Sequence, residues 1–432
     1  MNIDINTAHI TSNIHSDAIH SNMTNINSAL SQTLQHRLKQ HSTTTMQAWQ
    51  DGLKQVLVKA KIKDAEQMVS DVASLYALPI YALIVVIRTE MLSHVSNINA
   101  QALLADWAYA QANTPAGWQI TNIDDNDRSE ADTLKQVVAS LTEYDDVLTP
   151  VSVNRLVLCP SDVQMLKPND SKSRAIAHVI DEQVTHHLQD KLGHLGLTEE
   201  QARGAFDCHI LPVADMLHTH RLACFDMDST LIEQEVIVEL AKVMGVGDKV
   251  NDITDSAMRG ELDFDESFAQ RLALLEGLPE HHLADIADSL TLSKGAKTTL
   301  ALLSAMGYHT ALISGGFEYF AKQVAKQLGI HVVHANALSM QDGQMTGRVQ
   351  MPIINGATKA VLVRQITDEL GISKQAVVCV GDGANDLPMM DMANLGLAYR
   401  AKPIVQARAD AAINCTGLEG VLYALGYASL TS

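Results

Sequence analysis

The sequence predicts an α/β protein built on a Rossmann-like parallel sheet with helices on both faces. Short apolar runs alternate with helical segments from residue 221 onward, which is typical of such a sheet. The segment between the first and second of these apolar runs is far longer than a connection between two strands requires. This length predicts a helical cap inserted after the first strand. At 432 residues the chain also exceeds what one hydrophobic core normally serves. We therefore expect a smaller helical and α/β region before the sheet domain.

Composition and charge narrow the class of protein. Hydrophobic residues make up 47% of the chain, which indicates a globular protein. The 50 acidic and 31 basic residues give a formal charge of −19. This charge disfavours nucleic acid and anionic membranes as partners.

The cysteines and the apolar segments indicate the cellular compartment. The five cysteines are odd in number and widely spaced, which favours free thiols in a reducing compartment over a disulfide framework. No signal-peptide pattern is visible, and the most apolar segment, 75–87, is shorter than the roughly 20 residues that span a bilayer. We therefore expect a cytoplasmic protein.

The amino-terminal half divides by composition. Residues 1–45 are polar and lack a sustained period, which predicts a disordered tail. Residues 46–215 form the amino-terminal region, with a helical pattern to about residue 115 and an acidic linker over 122–132. A small α/β module is expected over 133–215. Its strands and helix are predicted at 155–159, 208–213 and 175–192.

Residues 216–432 are predicted to form the sheet domain, with the cap at about 233–293. The strands are predicted at 222–225, 310–313, 376–380 and 396–399. The cap helices are predicted near 233–244, 264–276 and 280–289. In parallel sheets of this kind, ligands bind at the carboxyl ends of the strands.

Polar residues in four segments fall at strand ends or helix starts of this sheet. Any one of them alone is more typical of a turn or of a solvated helix residue. Their coincidence at the strand ends of one sheet indicates a shared site. The four are 226–230 (DMDST), 313–317 (ISGGF), Lys359 and 380–386 (VGDGAND).

The chemistry that needs this set is phosphoryl transfer through an aspartyl phosphate. Asp226 is the candidate nucleophile, and as an anion it needs the negative charge of the substrate neutralised. A hard divalent cation does this, and Mg²⁺ suits a site with few protein ligands. The candidate ligands are Asp226, Asp382 and the backbone carbonyl of Asp228.

The remaining residues have separate predicted tasks. Asp228 is the candidate general acid, which protonates the leaving oxygen and then activates water as a base. The Ser314 hydroxyl and the Gly315 amide would bind phosphate oxygens, and Lys359 would supply positive charge. Lys359 needs a counter-charge, and Asp386 is the candidate partner. In addition, Asn385 is a candidate for orienting substrate or a metal-bound water.

These segments resemble the four motifs of the haloacid-dehalogenase-like phosphatases, in order and at typical separations. The resemblance covers about residues 221–427. The finer pattern is similar to that of the phosphoserine phosphatases, with Glu235 beyond the DMDST segment and Arg271 in the cap segment RGELDFDESFAQRLALL. The resemblance implies that Glu235 contacts a substrate ammonium and Arg271 a substrate carboxylate. A planar guanidinium suits a carboxylate, because it can bind it through two hydrogen bonds.

The resemblance implies an Mg²⁺-dependent phosphatase that hydrolyses O-phospho-L-serine to L-serine and phosphate, the last step of serine biosynthesis. Two alternatives stay open from the residues alone. One is a related phosphatase for another small phosphorylated amino acid, such as phosphohomoserine or phosphothreonine. The other is an inactive metabolite-sensing regulator. Residues 46–215 are compatible with a degenerate regulatory domain, with a purely structural role, or with a surface that forms a homo-oligomer.

Overall fold

The structure is a computed structural model that describes the chain between residues 32 and 431 with interruptions. The described residues are 32–59, 65–76, 78–90, 107, 118–123, 134–136, 138–139, 146, 148–160, 173–194, 196–258 and 261–431. Three helices come first: α1 (Gln32–Lys59), α2 (Ala65–Ser70) and α3 (Val72–Leu75). Trp49, Leu53, Val56 and Leu57 of α1 are buried, at the spacing of one face of an amphipathic helix.

Four antiparallel strands form the sheet of the amino-terminal region, in the spatial order β2-β3-β1-β4. Helices α4 and α5 lie between β3 and β4 in the chain. The side chains of Val184 and Leu188, in α4, pack in the same core as Leu83 and Val85 of the sheet. The elements are β1 (Tyr81–Arg88), β2 (Trp118–Asn122), β3 (Val151–Pro160), α4 (Ser173–His194), α5 (Glu199–Arg203) and β4 (Phe206–Pro212).

The sheet of the second domain contains six parallel strands in the order β12-β11-β10-β5-β6-β7, and β8 and β9 form a separate antiparallel hairpin. Its strands are β5 (Leu222–Phe225), β6 (His309–Phe317), β7 (Val332–Asn336), β8 (Met340–Gln341), β9 (Gln344–Met345), β10 (Val377–Gly381), β11 (Leu395–Tyr399) and β12 (Ala411–Ile413). Alternate residues of β5 enter two different cores: Ala223 and Phe225 one, Leu222 and Cys224 the other. This alternation follows from the two-residue period of a strand, and it shows that both faces of the sheet are covered.

Helices surround this sheet and form the cap. The four helices α6 to α9 lie between β5 and the helix that precedes β6, within the segment predicted as the cap. An isolated bridge between Ile232 and Leu292 closes the base of this excursion. The helices are α6 (Val236–Val243), α7 (Gly247–Met258), α8 (Phe264–Ala273), α9 (His281–Ser289), α10 (Ala296–Ala305), α11 (Glu318–Leu328), α12 (Gly356–Glu369), α13 (Leu387–Asp391), α14 (Pro403–Gln406) and α15 (Gly420–Ala424).

The predicted fold class is confirmed, including the parallel sheet with helices around it. The four strands predicted for the sheet correspond to β5, β6, β10 and β11, while β7, β12 and the cap helix α7 were not predicted. The strands predicted at 155–159 and 208–213 correspond to β3 and β4, and the helix at 175–192 to α4.

The helical interpretation of residues 46–115 is wrong at Tyr81–Arg88, which forms the strand β1. Both faces of β1 are buried: Ile84 and Val86 face the core shared with the second domain, and Leu83 and Val85 face the core beneath α4. A strand buried on both faces shows a continuous apolar run, which periodicity cannot separate from a buried helix. The α/β module therefore begins at β1 and not at residue 133.

Two further predictions concern segment boundaries. The tail predicted over 1–45 overlaps α1, which begins at Gln32, so its predicted end is wrong. Burial of one face of α1 stabilises the helix, and each further residue that joins it gains one backbone hydrogen bond. The helix therefore extends into the polar segment before residue 46. Residues 1–31 and 124–132, the latter most of the predicted linker, lie outside the described residues. Within the part of the chain that the structure describes, no helix combines the length and apolarity needed to cross a membrane.

Candidate active site

The predicted site residues meet at the carboxyl ends of the parallel strands. Asp226 directly follows β5, and its backbone N–H donates to the carbonyl of Val380 in β10 at 3.0 Å. Asp382 directly follows β10. Because β5 pairs with β6 on one side and β10 on the other, the ends of three neighbouring strands form one site.

The side chain of Asp226 is buried, at 8% exposure. Its Oδ1 accepts a hydrogen bond from the backbone N–H of Met227 at 2.8 Å and lies 2.8 Å from Nζ of Lys359. Burial and the nearby Asp386 carboxylate raise the pKa of Asp226 to about 7, although Lys359 acts in the opposite direction. The group is thus held beside a cation in a place where water is largely excluded.

Lys359, in the first turns of α12, is completely buried and bridges two carboxylates. Its Nζ donates to Oδ1 of Asp386 at 2.6 Å as well as contacting Asp226. Burial opposes its charge, but the two carboxylates outweigh burial and raise the pKa of Lys359. Oδ2 of Asp386 accepts the backbone N–H groups of Asp382 and Gly383, which fixes the loop after β10.

Three carboxylates form an acidic group that could hold a metal ion. One oxygen from each of Asp226, Asp382 and Asp386 lies within 4.8 Å of the others. Burial, together with Asp226 and Asp386, raises the pKa of Asp382 to about 8. The hydroxyl of Thr230 donates to Oδ1 of Asp382 at 3.3 Å. When ionised, three carboxylates beside the single ammonium of Lys359 leave an excess of two negative charges, which a divalent cation would neutralise.

Asp228 lies two residues after Asp226 and interacts with it electrostatically. Its Oδ1 accepts the backbone N–H of Val236, at the start of α6, at 3.0 Å. A Cβ atom on Gly316 would lie 2.6 Å from Oδ2 of Asp228, so the carboxyl packs directly against the loop after Ser314. Burial, Glu235 and Asp226 together raise the pKa of Asp228 well above its ordinary value. A carboxyl in this setting keeps a proton more readily than an exposed one.

The segment Ser314–Gly315–Gly316 lies in the last residues of β6, where the pairing with β7 is irregular between Ile313 and Phe317, and is called the loop of Ser314. Ser314 is fully buried, and its Oγ accepts the backbone N–H of Gly316 at 2.8 Å. A Cβ on Gly315 would come within 3.0 Å of the ring of Phe264, in the cap helix α8. The cap therefore lies directly over this loop, and a side chain at position 315 would require Phe264 and the carbonyl of Ile354 to shift.

Two charged residues enter the site from the cap side. Glu235 precedes α6, and its Oε1 accepts the hydroxyl of Ser229 at 2.9 Å. Arg271, near the end of α8, is partly buried. Burial lowers the pKa of Arg271, and the carboxylates of Glu235 and Asp228 raise it, so the three groups interact electrostatically.

The structure thus brings all ten predicted residues to one region. The acidic group differs from the prediction in one member. The carboxylate of Asp386, predicted only as the partner of Lys359, also joins the acidic group. Asn385 is partly buried and lies in the turn between Asp382 and Asp386.

Several residues of the site were missed by sequence reasoning. Ser229 and Thr230 orient Glu235 and Asp382, and their position inside the quoted DMDST segment was a signal for both. Asn336, which donates to the carbonyl of Gly315, follows no motif that a single sequence reveals.

Comparisons with known proteins agree with this geometry. A model of the haloacid dehalogenase-like hydrolase family matches residues 223–391. The chain is 42% identical over 229 residues to a phosphoserine phosphatase of Archaeoglobus fulgidus, covering 52% of this chain and 67% of that protein. It is 42% identical over 215 residues to a phosphoserine phosphatase of Idiomarina loihiensis, covering 50% of this chain and 98% of that protein.

A solved structure extends the similarity to the amino-terminal region. The crystal structure of a HAD family hydrolase from Salmonella enterica serovar Typhi superimposes with a TM-score of 0.57 at 26% identity. It covers 80% of this chain and 98% of the Salmonella chain. Given nearly full coverage of the Idiomarina protein and motif residues that meet in one site, the chain belongs to the phosphoserine phosphatase family of haloacid dehalogenase-like hydrolases.

Proposed function

We propose that this chain hydrolyses O-phospho-L-serine to L-serine and phosphate through an aspartyl-phosphate intermediate. One observation carries the proposal. The carboxylate of Asp226 lies 2.8 Å from the buried ammonium of Lys359, and the carboxyl of Asp228 packs against Gly316, next to Ser314, at the same edge of the sheet. Glu235 and Arg271, which interact with Asp228, supply charges of opposite sign for an amino-acid substrate.

In the first step, a carboxylate oxygen of Asp226 forms a bond to phosphorus while the bond between phosphorus and the serine oxygen breaks. Asp228 donates its proton to that leaving oxygen, and its raised pKa favours the protonated form that this step needs. In the second step, a water oxygen bonds to phosphorus and the bond to Asp226 breaks. One proton of the water passes to Asp228 and the other stays with the phosphate, whose release restores the starting state.

The phosphate is held by groups that point to the same end of the sheet. The hydroxyl of Ser314 and the N–H of Gly315 donate to non-reacting phosphate oxygens, and Lys359 contributes fixed positive charge. Lys359 also holds Asp226 at 2.8 Å, so it orients the nucleophile as well. Asn385 would place its side-chain amide near the substrate.

The donor set fits Mg²⁺. Both oxygens of Asp386 are already used by Lys359 and by two backbone N–H groups, which leaves Asp226 and Asp382 as carboxylate ligands. We assign the backbone carbonyl of Asp228 as the third. When bound, Mg²⁺ supplies the positive charge that neutralises the phosphate and the acidic group.

Recognition of the amino acid rests on the cap. Glu235 would pair with the substrate ammonium and Arg271 with its carboxylate, because these groups have complementary charge. Phe264 packs over the loop of Ser314, which excludes water from the phosphate once the cap is closed.

The first test measures phosphate release from O-phospho-L-serine with and without Mg²⁺. Asp226→Asn is expected to abolish turnover while circular dichroism and thermal unfolding stay close to those of the unmodified protein. An active Asp226→Asn variant would contradict the mechanism. Absence of turnover in the unmodified protein with Mg²⁺ present would instead favour a metabolite-sensing regulator.

The second test separates phosphoserine from its rivals. O-phosphoethanolamine keeps the ammonium but lacks the carboxylate, and phospholactate keeps the carboxylate but lacks the ammonium. Arg271→Ala should remove the preference for phosphoserine over phosphoethanolamine, and Glu235→Ala the preference over phospholactate. Faster turnover of phosphothreonine or phosphohomoserine in competition would identify one of those as the substrate.

We also propose that the protein resides in the cytoplasm. All five cysteines are free thiols, four of them buried. Burial raises the pKa of the Cys159 thiol to about 12, so it is inert at neutral pH. Fractionation of cells that express the native protein, with thiol titration of the purified chain, would test this.

A further inference from the structure

The side chain of Asn336 ties together two parts of the site that the reaction uses. It ends β7 and is 4% exposed. Its Nδ2 donates to the carbonyl of Gly315 at 2.8 Å, and its Oδ1 accepts the backbone N–H of Ile354, also at 2.8 Å. Both functions of one buried amide are therefore used, one on the phosphate-binding loop and one on the segment that leads into α12.

These contacts fix the peptide between Gly315 and Gly316 at both ends. Its carbonyl accepts from Asn336, and its N–H donates to Oγ of Ser314 at 2.8 Å. Because Oγ of Ser314 accepts that N–H, its own hydrogen is left to donate elsewhere, toward the phosphate. Rotation of this peptide would remove the N–H from Ser314 and change which hydrogen bonds its hydroxyl makes.

The second contact of Asn336 sets the position of Lys359. Ile354 immediately precedes Asn355, whose side chain caps α12 by accepting the N–H of Thr358 at 3.0 Å. A Cβ on Gly315 would lie 3.3 Å from the carbonyl of Ile354, so the loop and this segment are in close contact. Asn336 therefore fixes the separation between the loop of Ser314 and the helix that carries Lys359.

We propose that Asn336 is a positioning residue, which orients the Ser314–Gly316 loop for phosphate and holds it at a fixed distance from Lys359. The proposal rests on the proposed function only in assigning phosphate to this loop. Without both hydrogen bonds, affinity for the phosphate group falls, while affinity for the serine part, bound by Glu235 and Arg271, stays the same.

The test uses Asn336→Asp in the full chain. The carboxylate can still accept from Ile354, but it cannot donate to Gly315 and repels its carbonyl. Calorimetry with inorganic phosphate and, separately, L-serine, each with Mg²⁺, gives the two affinities. We expect phosphate affinity to fall about tenfold, the size of one lost hydrogen bond, and L-serine affinity to change less than about twofold. With phosphoserine, KM should rise in parallel with the phosphate dissociation constant.

Asn394→Asp is the matched control. Asn394 is a buried asparagine of the same domain whose Nδ2 donates to Oδ1 of Asp215 at 3.1 Å. It precedes β11, so it lies at the amino-terminal ends of the strands, away from the site. This control should lose thermal stability without losing phosphate affinity.

The outcomes separate the two proposals. Unchanged phosphate affinity in Asn336→Asp, or equal losses for phosphate and L-serine, would overturn the positioning role. If the aspartate variant does not fold, Asn336→Ser removes both contacts without adding charge and is judged by the same criterion. If the unmodified protein binds phosphate but does not hydrolyse phosphoserine, the proposed function fails while the phosphate data still decide the role of Asn336.

Discussion

Replacing Lys359 by methionine tests how the buried charges of the site are balanced. Methionine has a similar length but no charge, so Asp226 and Asp386 lose the ammonium that lies 2.8 and 2.6 Å from them. All three side chains are nearly inaccessible to water, with side-chain exposures of 0% for Lys359, 8% for Asp226 and 0% for Asp386. The two carboxylates are then left buried and face each other without compensation.

The expected cost follows from this geometry. Breaking a buried ion pair from one side typically costs about 3–5 kcal/mol, because the remaining charge stays desolvated. Two such pairs share Lys359, but protonation of one carboxyl relieves part of the penalty, so we expect about 3–5 kcal/mol for Lys359→Met. That is a large part of the roughly 5–15 kcal/mol that keeps a domain folded.

Urea unfolding at pH 7 with a chelator present measures this loss as a change in the free energy of unfolding. Adding Asp386→Asn to Lys359→Met should recover at least about 1 kcal/mol, because it removes one uncompensated charge. A loss below about 1 kcal/mol for Lys359→Met, or strictly additive effects in the double variant, would refute this account of the charge balance. Turnover of the single variant should fall at least about a hundredfold.

Three other changes test separate parts of the structure. Gly316→Ala places a Cβ 2.6 Å from Oδ2 of Asp228 and should lower kcat at least about a hundredfold with little change in thermal stability. Asp265→Ala removes the hydrogen bonds that Asn355 donates from α12 to the cap at 3.0 and 3.2 Å, and should raise KM about fivefold, equivalent to about 1 kcal/mol of cap closure. Burial lowers the pKa of His209 to about 4 from its ordinary 6.5, so its contribution to stability is present above pH 6.5 and lost as pH falls toward 4. Between pH 7 and 5 this loss is about 2 kcal/mol, and it should be absent from His209→Leu in urea unfolding at the two pH values.

Each of these three predictions has a control variant and a result that would contradict it. Gly193→Ala adds a Cβ that meets nothing within 4 Å and should leave kcat unchanged; equal losses in both glycine variants would contradict the packing argument. Asp265→Asn keeps one acceptor for the donating amide and should recover most of the KM, and a KM as high as that of the alanine variant would point to a different cause. A His209→Leu protein with the same acid sensitivity as the unmodified one would show that other groups dominate.

The predictable part of the site is the part that lies at strand ends. Asp226 and Asp382 follow short apolar runs whose ends must meet in a parallel sheet, so their proximity follows from topology alone. The tight ion pair of Lys359 and Asp386 was also predictable, because a buried ammonium requires a carboxylate. What the sequence could not reveal is that the Asp386 carboxylate also joins the acidic group, since this depends on how the loop after β10 turns.

The unpredictable part depends on contacts between distant segments. Asn336 and Ile354 are joined across 18 positions by one hydrogen bond, and Asn336 is an ordinary strand-end residue in sequence. The prediction of a helix at β1 was wrong because both faces of this strand are buried. Burial on both faces removes the alternation of apolar and polar residues that identifies a strand. In both cases the deciding interaction is supplied by a part of the chain that local patterns do not include.

The amino-terminal region is fixed to the catalytic sheet by buried polar contacts, which favours the structural role among the alternatives that the sequence left open. The carbonyl of Gly426 accepts both Nε1 of Trp49 at 3.2 Å and Nη1 of Arg155 at 2.9 Å. Asp207, in β4, accepts backbone N–H groups from Asn414 and Cys415, directly after β12. Leaving any one of these groups buried without its partner would destabilise the folded protein by about 1–3 kcal/mol. The two regions also share one hydrophobic core, so a movement between them would have to break several of these contacts together.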